Sequence, residues 1–239
     1  MKTAYGKVIV EPREQLFEHI AARIEAVAKG RSVTEPTVGL TGGSTPKAFY
    51  QWAIESNRFK ADALASVVWS VSDERMVPLE DAESNFGNAD RMLLEPLGID
   101  ALKKFPWPVQ VDPHSASVVL NRKWLERFGP DRSFELCFLG MGDDGHTASL
   151  FPDSPLLGAE IADPFSCVEV PDKGWRLTLT EVGLAQSQEI VVVVTGANKA
   201  ERVHAVFNEP VGSYPIQLLK QFANRVTWLM DADAAKLLK

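Results

Sequence analysis

Apolar residues fall along this chain in two rhythms. In "PREQLFEHIAARIEAVAK", Leu16, Phe17, Ile20, Ile24 and Val27 recur at helical spacing, which predicts an amphipathic helix with Pro12 in its first turn and Gly30 at its stop. Elsewhere the apolar residues come as short unbroken runs: "KVIV", "TVGLTG" (37–42), "SVVWSVSD" (66–73), "FELCFLG" (134–140), "SCVEV" (166–170), "RLTLT" (176–180), "EIVVVVTG" (189–196) and "RVTWLM" (225–230). Such runs read as strands buried on both faces. Helix-compatible stretches follow most of them, among them "PKAFYQWAIES", "NADRMLLEPL", "ASVVLNRKWLERF" and "NKAERVHAVF". Strand, turn and helix in alternation predict right-handed βαβ units and hence an α/β, Rossmann-like fold, a mostly parallel sheet with helices on both faces. No repeat of fixed period and no Gly/Ser-rich linker breaks the pattern, so residues 1–239 are expected to form a single domain. One long irregular stretch, "GIDALKKFPWPVQVDPHSAS", is expected to pack as a flap through its prolines and Trp107.

Composition narrows the partners. With 239 residues, 45% of them hydrophobic and 24% charged, the chain can bury a sizeable core. The opening "MKTAYGKVIVEPREQ" puts proline and charges where a signal peptide needs an apolar stretch, and no later window approaches the roughly 18 apolar residues of a membrane span. A cytoplasmic protein without a membrane partner is therefore expected. Its formal charge of −7 argues against a nucleic-acid partner, because a polyanion requires a basic face. A small anion held by local Arg, Lys and backbone N–H groups is still allowed. The two cysteines, Cys137 and Cys167, lie in strand-like runs with no CxxC or Cys/His spacing, so buried free thiols are expected and no structural metal.

Strand ends carry the candidate chemistry, since ligands of open parallel sheets bind beyond the carboxyl ends of the strands. In "ELCFLGMGDDGHTASLFP", Gly140, Gly142 and Gly145 spell G-x-G-x-x-G, the dinucleotide fingerprint. That fingerprint needs a full crossover helix after the third glycine, and here only "HTASLF" precedes Pro152. Asp143 and Asp144 inside the loop would also repel a pyrophosphate. The glycines instead let the backbone bend and deliver His146 to the sheet edge, as a general base or as a neighbour that caps a helix. In "TGGSTP", Gly42, Gly43, Ser44 and Thr45 make either a phosphate cradle or a tight capped turn, with Thr45 as N-cap and Pro46 at the first helical position. The segment "SDERMVP" ends a strand with Asp73, Glu74 and Arg75; alternation aims Asp73 and Arg75 one way and Glu74 the other, so that Asp73 orients a histidine or a substrate hydroxyl and Arg75 clamps a phosphate, or the charges form a surface ion pair. Lys199 in "VTGANKA" and Arg176 in "GWRLTLT" are further candidate anion partners.

Taken together, "LTGGSTP", "SDERMVPLEDAESNFGNA", "LGMGDDGHTASLFP" and "VTGANKA" resemble the motifs of the glucosamine-6-phosphate isomerase/6-phosphogluconolactonase family, over roughly residues 37–200. The lactonase branch is the better match. The deaminase branch continues its histidine turn with Ala-Phe and Asn-Glu-Pro, where this chain has Ser149, Leu150 and Phe151, so the second carboxylate of ring opening is missing. The resemblance implies the sugar-phosphate isomerase-like fold and hydrolysis of 6-phospho-D-glucono-1,5-lactone to 6-phosphogluconate, a step of the pentose phosphate pathway, without metal or organic cofactor. It implies His146 and Asp73 as catalytic residues. Gly42, Gly43, Ser44, Thr45, Arg75, Gly142, Asp144, Arg176 and Lys199 are implied as substrate contacts. The partner expected is the small sugar-phosphate lactone, and the assembly a monomer or weak homodimer. A deaminase-type enzyme and a non-catalytic sugar-phosphate effector domain are the alternatives. The second usually carries a helix-turn-helix and a basic surface, and this chain begins directly with a strand.

Overall fold

The structure, a computed structural model, describes residues 1–30 and 33–238. In chain order its elements begin β1 (Lys2–Thr3), β2 (Gly6–Val10), α1 (Arg13–Lys29), β3 (Thr37–Leu40), α2 (Ser44–Glu55), α3 (Ala61–Leu64), β4 (Val68–Val71), β5 (Asp73–Arg75) and α4 (Asn85–Ala89). There follow α5 (Pro113–Phe128), β6 (Leu136–Leu139), β7 (Phe165–Val170), β8 (Gly174–Leu179), α6 (Glu181–Ala185), β9 (Glu189–Val194), α7 (Ala200–Asn208), β10 (Val226–Met230) and α8 (Ala232–Ala235). Among the described residues, seven strands form one sheet in the order β1-β2-β10-β9-β6-β3-β4, parallel throughout except for the short β1.

The central strands are the unbroken apolar runs, because a strand covered on both faces has no position where water would reward a polar side chain. All four residues of β6 and of β3 are buried. Helices flank the sheet, and α1 turns Leu16, Phe17, Ile20, Ala21 and Ile24 inward on one stripe. Each fully buried Leu, Ile or Phe side chain of this core contributes about 1.5–3 kcal/mol of transfer free energy.

Chain direction through the sheet positions the site. From β3 the chain moves outward to β4, and after α5 it returns on the other side of β3 as β6. The carboxyl ends of β3 and β6 therefore flank a topological switch point, where the two crossovers leave in opposite directions and open a crevice. Into it run Thr41–Gly43 after β3 and Gly140–Gly142 after β6.

Three expectations need correction. The runs at 166–170 and 176–180, with Asp73–Arg75, do not join the parallel sheet; they form a separate antiparallel sheet in the order β5-β8-β7. The turn at Pro171–Lys173 is too short for a parallel crossover, so these two strands can only pair as a hairpin. Secondly, α2 starts at Ser44, with Gly43 at the N-cap position (φ 110°) and no side-chain cap, so Thr45 and Pro46 already lie inside the helix. Finally, Cys167 is only half-buried, with its Sγ 3.4 Å from His114 Nδ1, whereas Cys137 is fully buried and pushed up by desolvation; both are free thiols. The long stretch before α5 does pack through Trp107, which is fully buried and donates its indole N–H to Ser70 Oγ at 2.9 Å. No helix of the described residues is long and apolar enough to cross a membrane.

Candidate active site

The histidine loop is built by its glycines. Gly142 N–H donates to His146 O at 2.9 Å and Gly145 N–H to Gly142 O at 3.1 Å, closing a tight loop in place of the short helix that "HTASLF" permits. A Cβ on Gly142 would stand 2.0 Å from His146 Nδ1, so only glycine lets the imidazole fold back over the loop. Gly145 takes a left-handed φ of 79° and packs against Tyr214. Behind the loop, Lys199 Nζ donates to Met141 O at 2.9 Å and to Asp143 Oδ1 at 2.6 Å, and Arg202 Nε donates to Asp143 O at 2.6 Å.

His146 Nδ1 lies 2.5 Å from Asp144 Oδ1, and the same oxygen accepts the His146 backbone N–H at 3.1 Å. With Nδ1–H spent on that carboxylate, Nε2 carries the free lone pair. Burial pulls the Asp144 carboxyl upward, but the His146 amide and ring and the nearby Lys173 ammonium outweigh it and leave it below its ordinary value. Asp144 is thus the imidazole's partner, and Asp73 is engaged elsewhere.

Asp73 is buried, and its two oxygens are separately held. Oδ1 accepts from Asn85 Nδ2 at 3.2 Å and Oδ2 from Ser149 Oγ at 2.8 Å; the same Asn85 amide also donates to Asp73 O at 2.9 Å. Gly42 makes room for this, because a Cβ there would stand 1.9 Å from Asn85 Oδ1. Glu74 points the other way, as alternation predicts. Its carboxylate accepts four hydrogen bonds, from the backbone N–H groups of Arg75, Asn85 and Phe86 and from Ser84 Oγ, and so fixes the start of α4. Burial still pushes it above the ordinary carboxylate range.

Two guanidiniums meet across the small sheet, where Arg75 and Arg176 are directly paired in register. Like charges opposite one another destabilise a sheet unless an anion joins them. Arg75 donates to Glu83, to its carbonyl and, at 3.2 Å, to its carboxylate. Arg176 donates only to Trp175 O among the described residues, and burial together with the Arg75 charge lowers it from its ordinary value.

These groups surround a cavity of about 200 Å³ lined by Thr41–Gly43, Asp73, Arg75, Asn85, Gly140–Gly142, His146 and Ala148. Of the residues singled out from sequence, the cavity unites Gly42, Gly43, Asp73, Arg75, Gly142 and His146. Ser44 and Thr45 begin α2 beside it, where the first amides have no side-chain cap. Thr45 Oγ1 is bonded to Thr195 Oγ1 at 2.8 Å. Asp144, Arg176 and Lys199 are outside the lining itself: Asp144 is bonded to His146, Arg176 is paired in register with Arg75, and Lys199 is tied to the histidine loop. Sequence reasoning missed Asn85, Ser149 and Glu83. Asn85 and Glu83 sit within the quoted "ESN", but nothing in their spacing marks them as the groups that hold Asp73 and Arg75. Among the described residues, no three of His, Cys, Asp and Glu gather as metal ligands would.

Comparison with known proteins gives one consistent result. The family model described as glucosamine-6-phosphate isomerases/6-phosphogluconolactonase matches residues 11–228. The 6-phosphogluconolactonase of Treponema pallidum is 35% identical over 217 residues, covering 85% of this chain and 88% of that protein. The 6-phosphogluconolactonase of Aggregatibacter actinomycetemcomitans is 32% identical over 204 residues, 84% of this chain and 87% of that one. In fold, the chain matches the solved 6-phosphogluconolactonase from Trypanosoma cruzi with a TM-score of 0.84 at 24% identity, over 99% of this chain and 98% of that one.

Proposed function

This chain belongs to the glucosamine-6-phosphate isomerase/6-phosphogluconolactonase family, and on that premise we propose that it hydrolyses 6-phospho-D-glucono-1,5-lactone to 6-phosphogluconate, with His146 as general base. The observation that carries this reading is the Asp144–His146 pair, 2.5 Å apart, at the wall of a cavity that also presents Asp73 and Arg75.

In the reaction, His146 Nε2 takes a proton from water as the water oxygen attacks C1 of the lactone. The C1 carbonyl becomes an oxyanion, the C1–O5 bond then breaks, and the imidazolium returns its proton to O5, leaving the carboxylic acid to ionise and the C5 hydroxyl free. Asp144 keeps Nδ1 protonated and the ring oriented, and it stabilises the imidazolium while it lasts. For the oxyanion, the Gly42–Gly43 turn is preferred to the Gly142 loop, because the Gly142 N–H is already donated to His146 O. Asp73, fixed by Asn85 and Ser149, accepts sugar hydroxyls. Arg75 and Arg176, with the uncapped amides of Ser44 and Thr45, hold the phosphate, and Lys199 serves the same anion from behind the loop. A δ-lactone is an activated ester, so positioning plus one base suffices and neither metal nor organic cofactor is required.

The same reading makes residues 1–239 one catalytic domain, acting in the cytoplasm as a monomer or weak homodimer; both sheets contribute to the one crevice. The test is proton release from freshly generated 6-phosphogluconolactone. His146→Gln is expected to lower kcat at least about a hundredfold with folding intact. A wild-type rate no faster than spontaneous hydrolysis, or a variant within about threefold of wild type, refutes the assignment.

A further inference from the structure

One face of the His146 ring is covered. Phe151 stacks on it with centroids 4.0 Å apart and planes 25° from parallel. The Lys173 ammonium stands 4.5 Å from the Phe151 centroid. A 4.0 Å stack leaves no space for an ammonium between the rings, so Lys173 occupies the other face and the three side chains form layers. The chain reaches this arrangement through Ala148, held at a left-handed φ of 48°, and through fully buried Leu150, whose N–H donates to Thr147 O at 2.9 Å. A non-glycine residue in that conformation costs about 1–3 kcal/mol, and such strain collects at functional sites. Phe151 does not line the cavity, so substrate contact does not account for it.

An aromatic face attracts a cation more strongly than it attracts a neutral imidazole. The stack therefore favours the protonated ring that exists only after the base has taken its proton. It also fixes the ring plane, while Asp144 fixes rotation within that plane. We propose that Phe151 is a positioning residue for the general base, holding the plane of His146 and favouring its imidazolium, and that Lys173 on the far face weakens that effect. The proposal rests on His146 being the base. The other charged groups around the ring are Asp144 on its own loop, Asp73 and Arg75 across the cavity, and Lys199 paired with Asp143 behind the loop.

The experiment uses the full-length protein and the variants Phe151→Leu, Phe151→Tyr and Lys173→Met, with two readouts: NMR titration of the His146 ring without ligand, and kcat and KM for the lactone across pH. Phe151→Leu is expected to move the ring's titration midpoint and the acid limb of activity down by about half a pH unit and to lower kcat about two- to fivefold, with KM within about twofold. Phe151→Tyr, which keeps the ring, restores kcat. Lys173→Met removes a repelling charge and moves the midpoint the opposite way; lying on an exposed turn, it carries the test if Phe151→Leu fails to fold. Shifts of the same sign in the Leu and Met variants, no shift in either, or a kcat loss that Tyr does not restore overturns the proposal. Midpoints that shift as expected while turnover is unchanged also overturn it, and they locate the failure in the assignment of His146 rather than in the stack.

Discussion

Gly142→Ala tests the site geometry most directly. The new Cβ would stand 2.0 Å from His146 Nδ1, 2.2 Å from Cε1 and 2.7 Å from Asp144 Oδ1. Non-bonded carbon contacts are comfortable at about 3.5–4.0 Å, so the imidazole must retreat by at least about 1 Å and part from Asp144. A misplacement of about 1 Å in a catalytic constellation costs about a hundredfold in rate, and loss of a general base costs about 10²–10⁴. Gly142→Ala is therefore expected to lower kcat about a hundredfold or more. The core is untouched, so the thermal midpoint should fall by no more than a few degrees. The variant is assayed by proton release from the lactone, after a melt to confirm folding. If Gly142→Ala keeps kcat within about threefold, the assignment of His146 and Asp144 as the working pair is wrong.

Arg75→Ala is expected to raise KM about tenfold or more, since a charged hydrogen bond to the phosphate is lost, whereas Lys199→Ala should lower kcat as well, because Lys199 also holds Met141 O and Asp143; equal KM effects with kcat unchanged in both would contradict this division. Glu35, which binds Lys103 and Arg127 at 2.8 and 2.9 Å, is lowered from 4.5 to about 2 by those two partners. Its contribution is present in full above pH 4.5 and fades as pH falls toward about 2, so urea unfolding of Glu35→Gln should show a deficit of about 1–2 kcal/mol near neutrality that closes in acid, after allowance for solvent screening. A deficit that persists unchanged at the acid end refutes that account. Native protein should release one thiol to an aromatic disulfide reagent, Cys167, and unfolded protein two; a second fast thiol in the native state contradicts the burial of Cys137.

The parallel core was legible in the sequence because strands buried on both faces have to be continuous apolar runs, and β3, β6, β9 and β10 are such runs. The small sheet was not, because β7 and β8 are apolar runs of similar length, and what separates them from the core strands is a connection too short to cross over. At the site, glycines and proline flagged the turns and the strand ends flagged their contents, so His146, Asp73 and Arg75, which the structure brings to one cavity, stood out as candidates. Their partners were not. Asn85 meets Asp73 from 12 residues away and Ser149 from 76 residues away, and no local pattern encodes either meeting. Asp144 was visible as a charge in a loop, and only the backward fold of the imidazole over Gly142 turned it into a partner for the ring.

Ser72 is the joint between the two sheets. Its N–H donates to Leu40 O at 2.7 Å at the end of the large sheet, and its carbonyl accepts from Leu179 N at 3.1 Å at the start of the small one. One residue thus sets the phase of everything after it. A single inserted amino acid here would exchange the two sides of β5, turning Glu74 toward the crevice and Asp73 into the interior. A library of one-residue insertions along β4 and β5 should show its sharpest intolerance at this link.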